Sequence, residues 1–223
     1  MKIVNVAKAL YAWGTLVRDP NQLNKVFELR ESMASPEVMQ KMDDFFSQTA
    51  SGRAALEKRT RLGALSLDAL ATLDEGSLGH SYAKHMREAG LDPAAIPTLA
   101  SPDRLTYLSA HLYETHDLWH VVTGFGTDVA GELGLQAFYL AQFPALLSSA
   151  ILAAGLLNTT LFTPDERERR MEAITLGWRL GRAAKPFFGV AWGELMSKPL
   201  SDVRRELGVP DDGVRALGAS AVS

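Results

Sequence analysis

Between Leu133 and Pro164 the chain runs for 32 residues without one Lys, Arg, Asp, Glu or His. A helix that is apolar on every side must be covered on every side, by protein, lipid or ligand, and this requirement limits the fold more than any other feature. About 20 apolar residues span a bilayer, so length alone permits a membrane helix. Against it, Pro144 interrupts the run, while Gln136, Gln142, Ser148, Ser149, Asn158, Thr159 and Thr160 dilute it. No basic cluster or aromatic belt flanks it, as topology would require. The run therefore reads as a buried helix pair or as the wall of an apolar cavity.

No segment alternates with period two and hairpin chemistry, whereas helix-start signals recur, which predicts an all-α fold. Ser35-Pro36-Glu37, Ser101-Pro102-Asp103 and Thr163-Pro164-Asp165 each place a hydroxyl cap, a proline and an acid in order. The hydroxyl accepts an orphan amide, proline presets φ where no N–H is needed, and the acid faces the positive end of the helix dipole. Helices are expected at 2–17, 21–33, 36–49, 52–60, 66–73, 78–89, 102–122, 128–157, 164–182, 187–196 and 200–207, with Gly208 as the last C-cap. The first should bury Ile3, Val6 or Ala7, Leu10, Gly14 and Val17. Ala89 to Pro102 is the most linker-like stretch, yet neither side carries a self-sufficient set of packing faces. The expected organisation is one compact multi-helix domain over 1–209 with a frayed tail over 210–223.

The formal net charge is −3 and there is no cysteine. A chain with this balance has no broad positive field for nucleic acid. Disulfides, Cys-rich zinc sites, iron–sulfur clusters and thiol nucleophiles are excluded, so any metal must sit on His, Asp or Glu. The first residues resemble neither a secretory signal nor an organelle transit peptide, which points to a cytoplasmic protein.

All five histidines, at 80, 85, 111, 116 and 120, fall in a 41-residue window. On a helix, His120 lies about 40° around from His116 and Asp117 about 100°, so the three share one arc. Leu105, Leu108 and Leu112 lead along the same stripe and turn it inward. His80, His85 and His111 leave that arc and read as surface or core residues. Glu132 would lie about 18 Å from His120 along an unbroken helix, too far for metal bonds of about 2 Å. Yet Thr123-Gly124-Phe125-Gly126-Thr127-Asp128 offers two glycines to stop one helix and Thr127 or Asp128 to cap the next. A hairpin there brings His116, Asp117, His120 and Glu132 to similar heights. That N/O set suits one divalent ion: zinc, iron, manganese or cobalt, with magnesium not excluded by the donors. It differs from the zincin His-Glu-x-x-His helix, because Asp117 is a methylene shorter than the general base required there.

His116-Asp117-x-x-His120, followed after eleven residues by Glu132, resembles the signature of the coenzyme Q biosynthesis protein 4 family. Gly76-Ser77-Leu78-Gly79 with Tyr82, the continuation Val121-Val122-Thr123-Gly124, and Trp178, Pro186, Trp192, Glu194 and Leu207-Gly208 extend the likeness along essentially the whole chain. His80 departs from the basic Arg expected after the Gly-Ser-Leu-Gly turn. The resemblance implies an all-α homodimer, peripheral on the inner membrane, with a divalent metal, commonly zinc, at that motif and an apolar tunnel beside it for polyprenyl chains. It implies oxidative decarboxylation at ring carbon one of a polyprenylated hydroxybenzoate, or a scaffold for the other ubiquinone-biosynthesis enzymes.

Within that reading the prenyl tail would run along Phe138, Leu140, Phe143 and Leu147, since the uncharged stretch continues directly from Glu132. Arg179, Arg182 and Lys185 form a narrow basic stripe that would steady an anionic head group or else be a solvated face. Trp178, Trp192, Phe187 and Phe188 read as core or dimer contacts. Two rivals remain: a non-catalytic lipid-binding scaffold, and an HD-type phosphohydrolase using His116-Asp117 with His85 and Asp128.

Overall fold

The computed structural model describes residues 3–92 and 99–215. Among them all repetitive structure is helical: α1 (Ile3–Arg18), α2 (Leu23–Met33), α3 (Pro36–Phe46), α4 (Ala50–Lys58), α5 (Leu67–Ala71), α6 (Leu78–Glu88), α7 (Arg104–Glu114), α8 (His116–Thr123), α9 (Val129–Gln142), α10 (Leu146–Leu161), α11 (Arg167–Ala183) and α12 (Leu200–Leu207). Short 3-10 turns occupy Pro164–Glu166 and Trp192–Leu195.

Local chemistry explains where these boundaries depart from the sequence expectation. The rod expected over 128–157 is two helices, because Pro144 holds the residue before it in extended backbone: Phe143 has φ −161° and ψ 164°. The rod expected over 102–122 is interrupted at Thr115, whose hydroxyl turns back onto the His111 carbonyl at 2.7 Å. The second start signal acts two residues late. Asp103, not Ser101, caps α7, in a reciprocal capping box with Thr106. Thr163 opens only a 3-10 turn, its hydroxyl directed to Asn158. In place of a helix over 187–196, Gly189 takes φ +82° and only Trp192–Leu195 coils.

Contacts group the residues into two units. The first takes in the described residues of Met1–Phe45 with Gly126–Arg182. There α1 buries Ala12 and Leu16, with Ala9, Trp13 and Val17 beside them, against Leu29 of α2 and Ala154 of α10. Of the face expected inward, Leu10 and Gly14 point outward, Leu10 being 63% exposed, and its Val17 end meets the cluster. Both faces of α1 are apolar, and the one carrying Trp13 also satisfies the indole N–H on the Ala150 carbonyl at 2.8 Å. Leu133 and Ala137 of α9 meet Leu152 of α10. Gly177 and Gly181 of α11 lie directly on the backbone of Gly134 and Phe138.

The polar residues that dilute the charge-free run are paired inside this unit. Ser148 donates to Gln136 at 2.7 Å, Gln142 to the Gly181 carbonyl at 2.8 Å, and Asn158 to the Val17 carbonyl at 3.0 Å. Each bond offsets the desolvation of its partners. Among the described residues no single helix is long and apolar enough to cross a membrane.

The second unit takes in the described residues of Phe46–Phe125 with Ala183–Ser223. Phe46 stacks on Phe188 with ring centroids 3.9 Å apart, and Trp119 and Trp192 each meet Phe187 edge to face. Trp192, Phe187 and Phe188 are core, as expected, whereas Trp178 of the first unit is 47% exposed. Near the start of the expected tail, Val214 is buried. The rest of that tail, from residue 216, lies outside the described residues.

Candidate metal centre

Both imidazoles of the motif stand on α8, at its first and fifth positions. Two caps frame the turn that follows. Gly124, at φ +84°, ends α8 with its amide on the His120 carbonyl at 2.8 Å. Asp128 opens α9 by accepting the Ala130 and Gly131 amides at 3.0 and 3.2 Å. The rod is thus broken between the imidazoles and Glu132, which lies in the first turn of α9.

His120 is 1% exposed, and its Nδ1 lies 3.2 Å from the carbonyl oxygen of Phe125. A carbonyl only accepts, so Nδ1 carries the proton and Nε2 presents a lone pair. That Nε2 lies 3.3 Å from Nε2 of His116. Two nitrogens bound at about 2.0–2.1 Å to one tetrahedral ion stand about 3.3 Å apart, so the pair has the spacing of ligands on a shared metal. A backbone carbonyl orienting the far nitrogen is the usual outer-shell arrangement of a metal-binding histidine. One ligand atom from each of His116, His120 and Glu132 lies within 4.8 Å of the other two. By spacing, tautomer and donor chemistry these residues fit a borderline divalent ion.

Asp117 does not join that group. Its charge acts instead on α6, raising the pKa of Tyr82 after the larger effect of burial. It also opposes the lowering of His85, where burial is the chief cause and the charge of His120 the next. His85 stacks on His120 with centroids 5.7 Å apart. His80 is half-buried at the start of α6, its amide held by the Ser77 cap at 3.2 Å. His111 is a core residue whose Nε2 accepts the Gly189 amide at 3.1 Å, and burial pushes it down to about 4.

The residues expected along a prenyl tail are spread through the first unit. Phe138 is fully buried and Phe143 meets Tyr139 edge to face. Leu140 packs beside Leu133 and Ala137, while Leu147 packs with Ala12 and Leu16. Arg179, Arg182 and Lys185 are exposed. Asp128, which the phosphohydrolase reading requires as a metal ligand, is occupied as a helix cap and paired with Arg169 at 2.7 Å. Sequence reasoning missed the Phe125 carbonyl, because a backbone acceptor leaves no residue-type signal.

The sequence profile of the family described as coenzyme Q (ubiquinone) biosynthesis protein Coq4 matches residues 3–212. A mitochondrial ubiquinone biosynthesis protein of Aspergillus fumigatus is 32% identical over 205 residues, covering 89% of this chain and 70% of its own length. That of Yarrowia lipolytica is 30% identical over 199 residues, covering 86% and 74%. A crystal structure from Nostoc punctiforme, described as a ubiquinone biosynthesis protein, superposes with a TM-score of 0.79 at 32% identity. It covers 92% of this chain and 98% of that one.

Proposed function

The chain belongs to the Coq4 family of ubiquinone biosynthesis proteins, and from that premise we propose that His116, His120 and Glu132 hold one divalent ion, zinc first, against the ring of a polyprenylated hydroxybenzoate. The reaction is oxidative decarboxylation at ring carbon one. Exchange of carboxyl for hydroxyl, with water as the oxygen source, releases carbon dioxide, two protons and two electrons, and a separate two-electron oxidant must take the electrons. When bound, such an ion supplies Lewis acidity toward the ring carboxylate or phenolic oxygen.

The observation that carries this reading is the pair of Nε2 atoms 3.3 Å apart, with the His120 tautomer fixed by the Phe125 carbonyl. Among the described residues the donor group has three members, and a fourth position taken by water or substrate would favour catalysis over a closed scaffold site. Asp117, one residue from His116, stands outside the donor set and would add negative charge to the surroundings of a bound ion. Tyr82, its hydroxyl held protonated by burial, is a hydrogen-bond donor at every working pH. The prenyl tail is assigned to the α9–α10 pair, with Leu140 and Leu147 as its half-buried members. Peripheral contact with a membrane and pairing with a second copy or with other pathway enzymes would draw on exposed apolar residues of the first unit, including Leu156, Leu157, Leu161 and Phe162.

Metal analysis with native mass spectrometry of the purified protein tests the assignment. One ion per chain and a co-purifying prenylated lipid are expected. His120→Ala or Glu132→Gln should lower metal retention by at least about tenfold, whereas Asp117→Asn should keep most of it. Metal-free wild-type protein that binds no zinc, cobalt, iron, manganese or magnesium on addition would overturn the reading.

A further inference from the structure

Helix α8 is only eight residues long, below the length at which a helix holds its own shape, yet it carries both imidazoles. Its last carbonyls have no amide partner within the helix, because the chain leaves at Gly124. Arg204 of α12 supplies the missing donors. Its Nε donates to the Val122 carbonyl at 2.9 Å, its Nη2 to the Val121 carbonyl at 3.0 Å, and its Nη1 to the Asp211 carbonyl at 2.5 Å. The same end is closed from another side by Gly213, at φ +61°, where a Cβ would stand 2.4 Å from the Thr123 carbonyl oxygen. Residues 121–124 are therefore gripped on consecutive peptides.

We propose that Arg204 is a positioning residue for the candidate metal centre: its fork on the Val121 and Val122 carbonyls fixes the end of α8, hence the Phe125 carbonyl, hence which nitrogen of His120 is free. A planar guanidinium offers parallel N–H groups in a rigid fork, and its charge meets the negative end of the helix dipole. If the end of α8 frays, the Phe125 carbonyl leaves Nδ1, and the His120 ring exchanges between tautomers. A proton on Nε2 then removes the lone pair that faces His116. The link to metal affinity rests on the function proposed above, whereas the link to the tautomer does not.

Two measurements separate these links. Nitrogen-15 histidine spectra of metal-free protein should show His120 protonated at Nδ1 in the wild type and mixed in Arg204→Met. Arg204→Lys, which keeps the charge but loses the fork, should lie between them. In parallel, Co(II) titration should weaken by about 10- to 100-fold in Arg204→Met, the usual range for loss of outer-shell support. A folded Arg204→Met protein with wild-type His120 spectra overturns the proposal. If that variant does not fold, the spectrum of Arg204→Lys decides by the same criterion. Failure of the wild type to bind Co(II), alongside the predicted tautomer change, overturns the metal reading and leaves the positioning role of Arg204 supported.

Discussion

Burial takes His111 down to about 4 from the ordinary 6.5, and its Nε2 is committed as an acceptor to the Gly189 amide. Unfolded chain therefore takes up a proton near pH 6.5 that folded chain refuses until about pH 4. The stability this neutral ring contributes is fully present above pH 6.5 and is lost as pH falls from 6.5 towards 4, by roughly 3 kcal/mol in all. Urea unfolding at pH 7.5 and 5 should register the slope, and His111→Gln, which keeps an acceptor but no titration, should flatten it. Equal slopes in the two proteins would remove His111 as the source. All five histidines share one short window of sequence, and their types alone do not separate this core residue from the pair on α8. Angular spacing did, because 100° per residue places His116 and His120 together and leaves His111 outside their arc. Asp117 shows the limit of that reasoning: an arc of 100° is broad enough to include a carboxylate that stands outside the donor group and whose charge acts on Tyr82 and His85 of α6.

Close approach of helices in the first unit depends on missing side chains. A Cβ at Gly177 would lie 1.9 Å from the Gly134 carbonyl oxygen, and one at Gly181 2.7 Å from that of Phe138, so α11 rests on the backbone of α9. Gly177→Ala must push the two helices apart, at a cost of about 3 kcal/mol or more. Gly14, in the exposed interior of α1, has nothing within 4 Å of its absent Cβ. Gly14→Ala should stabilise by about 0.5–1 kcal/mol through helix propensity alone. Thermal melts that moved in the same direction for both variants would contradict this packing. Helix existence was legible from capping chemistry and period, and the fold is all-α as expected. The broken rods were legible only in part. Pro144 announces its break by covalent geometry, whereas Thr115 interrupts its helix through a back-bond that threonine often makes without consequence. Which face of α1 is buried could not be read, since both faces are apolar and the choice is made by a partner 137 residues away, the Ala150 carbonyl that accepts from Trp13.

At the scale of the whole molecule, the long uncharged run is resolved by internal pairing of its polar residues, yet it leaves apolar surface uncovered. Leu156, Leu157, Leu161 and Phe162, at and just beyond the C-terminal half of α10, are 42%, 41%, 62% and 51% exposed. On α11, Met171 and Trp178 lie seven residues apart on one face, with exposed Arg182 a turn further along it. Sequence could show that such a run needs covering but not how much of it the chain covers itself, because that is decided by partners more than a hundred residues distant, such as Ala12 and Leu16. An apolar surface beside arginines has the chemistry of an interfacial contact, in which buried apolar area and attraction to anionic lipid add. If the proposed membrane contact uses this face, anionic vesicles should blue-shift Trp178 emission and shield it from iodide. Neutral vesicles should act more weakly, and added salt should reduce the difference. Trp119 and Trp192 are at most 1% exposed, and Trp13 is half-buried with its indole N–H on the Ala150 carbonyl, so the change should persist in Trp13→Phe and disappear in Trp178→Phe. Emission and iodide access that stay the same with anionic vesicles, in protein shown by flotation to bind them, would move the contact to another face.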